Sequence, residues 1–149
     1  MTADIERLNA ILDALRGGSV SRARVVQDDI LSFRLWSAPD RLWDVRVFSV
    51  AWRIQSGARI IIGSDDDAST MRARVGILNG AILAGISVRP ENMDSSFDFG
   101  DLQLRVFPVT SVVEERFWQQ WSVRFPEGEC IDIGPGSSWS CRGDARGSL

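Results

Sequence analysis

The chain has no histidine and no tyrosine, and its cysteine count in 149 residues is two. All 17 basic residues are arginine, so lysine is missing as well. Without histidine there is no imidazole base, no Ser-His or Cys-His dyad, and none of the nitrogen ligand most used for zinc or iron. Without lysine there is no Gly-rich phosphate loop with its lysine. Cys130 and Cys141 are eleven positions apart and not in a Cys-x-x-Cys pattern. A disulfide between them is geometrically open, but two isolated thiols are the preferred reading. No stretch has a charged start followed by a continuous apolar run, and none reaches membrane-spanning length, so a cytoplasmic location is expected.

What remains is an ordinary globular composition: 44% apolar, 25% charged, net charge −3. The length suits one domain that buries roughly 70% of its unfolded surface. The acidic balance disfavours nonspecific binding to nucleic acid or to an anionic membrane. The expected organisation is a single α+β domain over residues 1–140, with 141–149 as a flexible tail rich in Gly, Ser and polar residues.

The stretch from Trp52 to Asp67 organises the reading. Val50, Trp52 and Ile54 lead to Ser56-Gly57, Ile60-Ile61-Ile62 follow, and Gly57 supplies the positive φ that a tight hairpin needs. Two later stretches repeat the plan, Phe97 to Phe107 around Gly100 and Trp121 to Ile133 around Gly128. Ile5, Leu8, Ile11, Leu12 and Leu15 predict an N-terminal helix capped by Thr2 or Asp4 and stopped at Gly17-Gly18. Val20 to Gln27 and Ile30 to Trp36 read as strands joined at Asp28-Asp29. Trp43 to Ile54, apolar on both sides near its middle, reads as one long central strand. Ala68 to Asn79 is a second helix with Met71, Val75 and Leu78 inward, and Ala81 to Arg89 a strand with Ile82, Ala84, Ile86 and Val88 on one face. Val109 to Gln120 carries mixed signals. The fold expected is a mainly antiparallel twisted sheet of seven to nine strands, built from hairpins, with two helices packed on it.

No catalytic motif stands out, and no enzyme activity or cofactor is expected. Asp65-Asp66-Asp67 is the densest acidic cluster. It lacks the alternating carboxylates and closing Glu of a calcium loop. Capping of the helix that follows leads over partner contact and metal binding. Asp28-Asp29, Glu114-Glu115 and Asp98/Asp101 are adjacent or near-adjacent carboxylates, but nothing marks the sugar-sized cleft that a carboxylate pair would serve. Of the six tryptophans, Trp36, Trp52 and Trp121 are expected in the core. Trp118 and Trp139 sit among polar residues, where a tryptophan either packs under a loop or anchors an interface.

Trp52-Arg53-Ile54…Gly57 running into Gly63-Ser64-Asp65, then Phe97 to Pro108, then a Trp-led hairpin ending at Gly134-Pro135-Gly136 and Trp139, form a recognisable series. Over residues 18–140 it resembles small β-rich bacterial proteins, some encoded beside polymorphic toxins and held to act as immunity proteins. The resemblance implies a non-catalytic inhibitor that binds a cognate toxin and occludes its active site. It brings no assigned site residues. The residues themselves nominate Asp28, Asp29, Asp65, Asp66, Asp67, Glu114, Glu115, Trp118, Glu127 and Glu129 as partner-binding. An acidic inhibitor gains on-rate toward a basic toxin cleft, provided these turns gather into one negative rim. Two other classes stay open: a small-molecule module, favoured if Arg34, Arg46, Arg53 or Arg105 points into an apolar sheet pocket, and an adaptor subunit of a larger complex.

Overall fold

The computed structural model describes residues 2–27, 30–48, 51–107, 121–134 and 139–143. The expected α+β class, antiparallel pairing and two helices are all present. The single sheet is not. The described strands form two sheets, with orders β1-β2-β3-β9-β10-β11 and β5-β4-β8-β7-β6. The first comprises β1 (Ser19–Val26), β2 (Ile30–Ala38), β3 (Arg41–Val47), β9 (Trp121–Arg124), β10 (Cys130–Ile133) and β11 (Trp139–Arg142). The second comprises β4 (Ala51–Ser56), β5 (Arg59–Gly63), β6 (Gly85–Val88), β7 (Ser95–Asp98) and β8 (Gln103–Phe107).

The long strand expected over Trp43 to Ile54 is therefore two strands in different sheets. Trp43, Val45 and Val47 are buried on β3, and Trp52 and Ile54 on β4. The inward set shifts from odd to even numbers as the chain changes sheet. The apolar residues seen on both sides of one strand belong to two strands of opposite parity.

The sheets meet through aromatic side chains. Phe33 on β2 packs edge-on against Phe97 on β7 at 6.0 Å and against Phe99 at 6.2 Å. Trp121 on β9 lies 5.0 Å from Phe97. Its indole N–H donates to the buried Ser95 hydroxyl at 3.0 Å, and that hydroxyl donates in turn to the Met93 carbonyl. Trp36 is the exception to the expected core tryptophans. It is 37% exposed, and its indole N–H donates to Ser21.

Helix α1 (Thr2–Leu12), extended by a 3-10 turn over Asp13–Leu15, buries Ile5, Leu8, Leu12 and Leu15 as the spacing predicts. Asn9 adds an unforeseen contact: its amide donates to the Val88 carbonyl and accepts from the Val88 N–H. Both backbone groups at that point of edge strand β6 are thus occupied, which blocks pairing with a foreign strand. Helix α2 (Ala68–Arg74) and the 3-10 turn Val75–Leu78 bury Met71, Val75 and Leu78, also as expected. After Gly80 the chain runs along β1, and Leu83 is buried where Ile82 was expected; Ile82 is 55% exposed. The tail boundary expected at residue 141 also moves, because Cys141 and Arg142 pair with Ile131 and Cys130 in β11.

Candidate functional site

Of the nominated residues, Asp28, Asp29, Glu114, Glu115 and Trp118 lie outside the described residues. The acidic corner serves the backbone. Asp67 has extended backbone and accepts from the Thr70 N–H at 3.2 Å and the Ser69 hydroxyl at 3.0 Å, which makes it the cap of α2. Those hydrogen bonds, Thr70 first, hold its carboxyl below the usual aspartate range. Asp66 accepts from the Gly63 N–H at 2.9 Å, and Asp65 is exposed.

A consequence is that Asp67→Ala should lower the unfolding midpoint, while Asp67→Asn, which keeps an acceptor at the cap, should retain most of it. A folded-state value below the unfolded one means stability that is present above the ordinary carboxyl range and lost as pH falls through the depressed value. Acid-limb urea titrations of the wild type and Asp67→Asn should therefore converge at the lowest pH.

Glu127 and Glu129 stand at the β9–β10 turn. Glu127 is paired with Arg41 at 2.8 Å, and both partners are about half exposed. Strand register puts this turn at the β3-start end of the six-stranded sheet, because Asp44 pairs Arg124 while Val47 pairs Trp121. The opposite end holds Gln27, whose carbonyl accepts from Arg72 of α2. The acidic candidates are thus divided between opposite ends, and the single negative rim does not form among the described residues.

The organised surface is instead the outer face of the six-stranded sheet, where the arginines are at least partly exposed while Ser32, Cys130 and Asp132 are buried. Alternation places Arg24, Ser32, Arg34, Asp44, Arg46, Ser122, Arg124, Cys130, Asp132, Ser140 and Arg142 on it, in two rows that follow the cross-strand pairs. Its charged strand positions are five arginines against two aspartates, in a chain of net charge −3. Asp132, 7% exposed, is held by Arg142 through two bonds of 2.5 and 3.2 Å. Arg24, Arg34, Arg46 and Arg124 make no side-chain hydrogen bond or ion pair with any described residue. Trp36 shares the face, two positions beyond Arg34 on β2 and directly opposite Leu42.

Two concavities open here. One of about 210 Å³ is lined by Arg46, Arg124, Arg142, Phe48 and Cys130 among others. One of about 420 Å³ lies between Arg34, Asp44, Arg124 and Phe125. The sequence places Arg34 on the more polar face of its strand, but Arg124 and Arg142 carry no motif that singles them out. The available signal was period two: Ser32-Arg34, Asp44-Arg46 and Ser122-Arg124 repeat one polar alternation. Arg34, Arg46, Arg53 and Arg105 all take outward positions, and the space between the sheets is filled by Phe33, Phe97 and Trp121.

Cys130 sits on this arginine face, whereas Cys141, opposite Ile131, is on the other side of the sheet. Both are free thiols. Burial, then the nearby Glu129 carboxylate, pushes the Cys141 thiol up, which makes it a poorer nucleophile. Among the described residues no group of three or more His, Cys, Asp or Glu side chains could hold a metal ion. No helix among them is long and apolar enough to cross a membrane. Comparison with protein-family models, with curated proteins and with solved structures gave no match.

Proposed function

We propose that this protein acts by binding another protein, as a non-catalytic inhibitor of the immunity type that occludes the active site of a cognate bacterial toxin in the cytoplasm. The observation that carries the reading is the pairing of a partly exposed tryptophan with four arginines, Arg24, Arg34, Arg46 and Arg124, whose side chains have no polar partner among the described residues, on one broad sheet face. Trp and Arg are the residue types most enriched at interface hot spots, where a large side chain fills a partner pocket and a guanidinium fork meets a carboxylate. A sheet is a rigid platform for them, so little ordering entropy is lost on docking. A sequence without histidine, tyrosine or lysine has few groups suited to general acid–base work near neutral pH, which agrees with inhibition by occlusion. The complementary partner surface carries carboxylates around an apolar recess for Trp36. The acidic corner at Asp65 is left a secondary role, since Asp66 and Asp67 already serve their own backbone.

Co-expression with the product of the adjacent gene tests the reading. Growth arrest by that product alone, relieved when this protein is present, with a stoichiometric complex on size exclusion, is the expected result. Absence of toxicity together with absence of a complex would overturn it.

A further inference from the structure

A second set of arginines lies on the solvent face of the other sheet, away from the surface just described. Arg53 on β4 and Arg105 on β8 are direct cross-strand partners. Their Cβ atoms are therefore about 5 Å apart, a position where like charges oppose folding. Both guanidiniums lean on one ring: Arg53 Cζ is 4.9 Å and Arg105 Cζ 6.0 Å from the centre of Phe107. The ring attracts each cation but neutralises neither. Arg53 is further held by its Nε–H donating to Gln55 at 2.6 Å, and Gln55 is fixed in turn by the Gly57 carbonyl. The Arg105 side chain makes no hydrogen bond or ion pair with any described residue. Two half-buried cations are thus kept side by side, with no described carboxylate paired to either.

Next to Arg105 is a concavity of about 450 Å³, whose lining includes Arg16, Ser87, Ser96, Asp98 and Gln103. Asp98 accepts from the Gly100 N–H at 2.9 Å, so one of its lone pairs is already used.

We propose that Arg53 and Arg105 form a binding site for a phosphate monoester, with the hydroxyl-bearing remainder of the ligand in the adjoining concavity. A carboxylate fills one guanidinium fork; two forks on neighbouring strands match a tetrahedral dianion with three free oxygens. The bound dianion removes the repulsion between the arginines. Ser87, Ser96 and Gln103 supply donors and acceptors for ligand hydroxyls, and the volume lies within the usual range for small-molecule sites.

The test is a titration of the intact protein with inorganic phosphate, glycerol phosphate or chloride at matched ionic strength. The readouts are the arginine Nε–Hε NMR signals and the thermal midpoint. Phosphate should shift the Arg53 and Arg105 signals saturably and raise the midpoint, and chloride should do neither. Arg105→Gln and Arg53→Gln should each weaken phosphate binding by about tenfold or more, the loss expected for a hydrogen bond to a charged group. Without phosphate, Arg105→Gln should be no less stable than wild type, because it relieves the like-charge pair. Arg124→Gln, on the other sheet, should bind phosphate as wild type does. Glycerol phosphate should bind more tightly than inorganic phosphate, and equal binding would overturn the part assigned to the concavity. Equal responses to phosphate and chloride, or equal losses in Arg105→Gln and Arg124→Gln, would overturn the proposal. Neither result bears on toxin inhibition, which rests on the six-stranded sheet.

Discussion

Trp121→Ala is expected to be the most damaging single substitution in the described core, with a loss of about 3–5 kcal/mol. The side chain is fully buried, and its indole joins the sheets by packing on Phe97 and bonding to Ser95. Truncation leaves a cavity at the contact between sheets, where neither backbone can move without disturbing its own ladder. Domains of this kind are stable by only about 5–15 kcal/mol, so the variant should sit near the edge of folding. With roughly 2–4 °C per kcal/mol for a chain of this size, the thermal midpoint should fall by around 10 °C or more. Trp121→Phe separates packing from hydrogen bonding. It keeps a ring against Phe97 and loses the indole N–H, while Ser95 still donates to Met93. Its loss should be about half that of the Ala variant or less. Calorimetry or urea unfolding measures both. An Ala variant within about 1 kcal/mol of wild type would mean that the sheets do not depend on this contact.

The same contact shows where sequence reading stopped. Strand-turn-strand units were legible because Gly57, Gly100 and Gly128 all have positive φ where alternation breaks. Both helices were legible because Leu8, Leu12 and Leu15, and Met71, Val75 and Leu78, keep a helical period. The sheet count was not. Nothing in Phe48 to Ala51 separates a strand that continues from one that leaves its sheet, since both are apolar and extended. Bulges hid parity in two further places. In β1 the register shifts between Ser21 and Arg24, with Arg22 at φ 52°, so the inward residues are Val20 and Val25. At the β4–β5 hairpin the shift between Ile54 and Gln55 puts Ile62 inside and leaves Ile60 57% exposed. A one-residue bulge reverses every outward position beyond it. The β1 bulge hides the outward place of Arg24, whereas Arg34, Arg46 and Arg124 keep unbroken alternation and are joined into one face only by the strand order β2-β3-β9. The acidic turns were conspicuous because they are contiguous in the chain. Contiguity is what a cap or turn needs, whereas a binding face collects residues from strands far apart in sequence.

The face can be separated from the acidic turns by charge reversal. Arg46→Glu with Arg124→Glu places two carboxylates beside Asp44, without touching the ion pair between Arg142 and Asp132 or any described side-chain hydrogen bond. Folding should weaken by no more than about 1 kcal/mol, since both arginines are exposed and the cost is the like-charge pair that Arg124→Glu makes with Asp44 across the strands. Association with the proposed partner protein should slow by roughly 10-fold to 1000-fold at low salt, because steering acts through summed surface charge, and the difference should shrink as salt rises. Trp36→Ala should act on the other rate constant. Its uncharged ring does not steer, but it fills space in the docked complex, so dissociation should speed up with an affinity loss of about 2 kcal/mol or more. Asp65→Arg, at the acidic corner, should leave both rates nearly unchanged if the arginine face meets the partner. If Asp65→Arg slows association while the double arginine reversal does not, the partner meets the α2 end of the molecule. The arginines would then belong to some other ligand. Surface-plasmon-resonance rates at two ionic strengths decide between these outcomes, because the two faces carry opposite charge and the sign of each variant's effect on association identifies the face in contact.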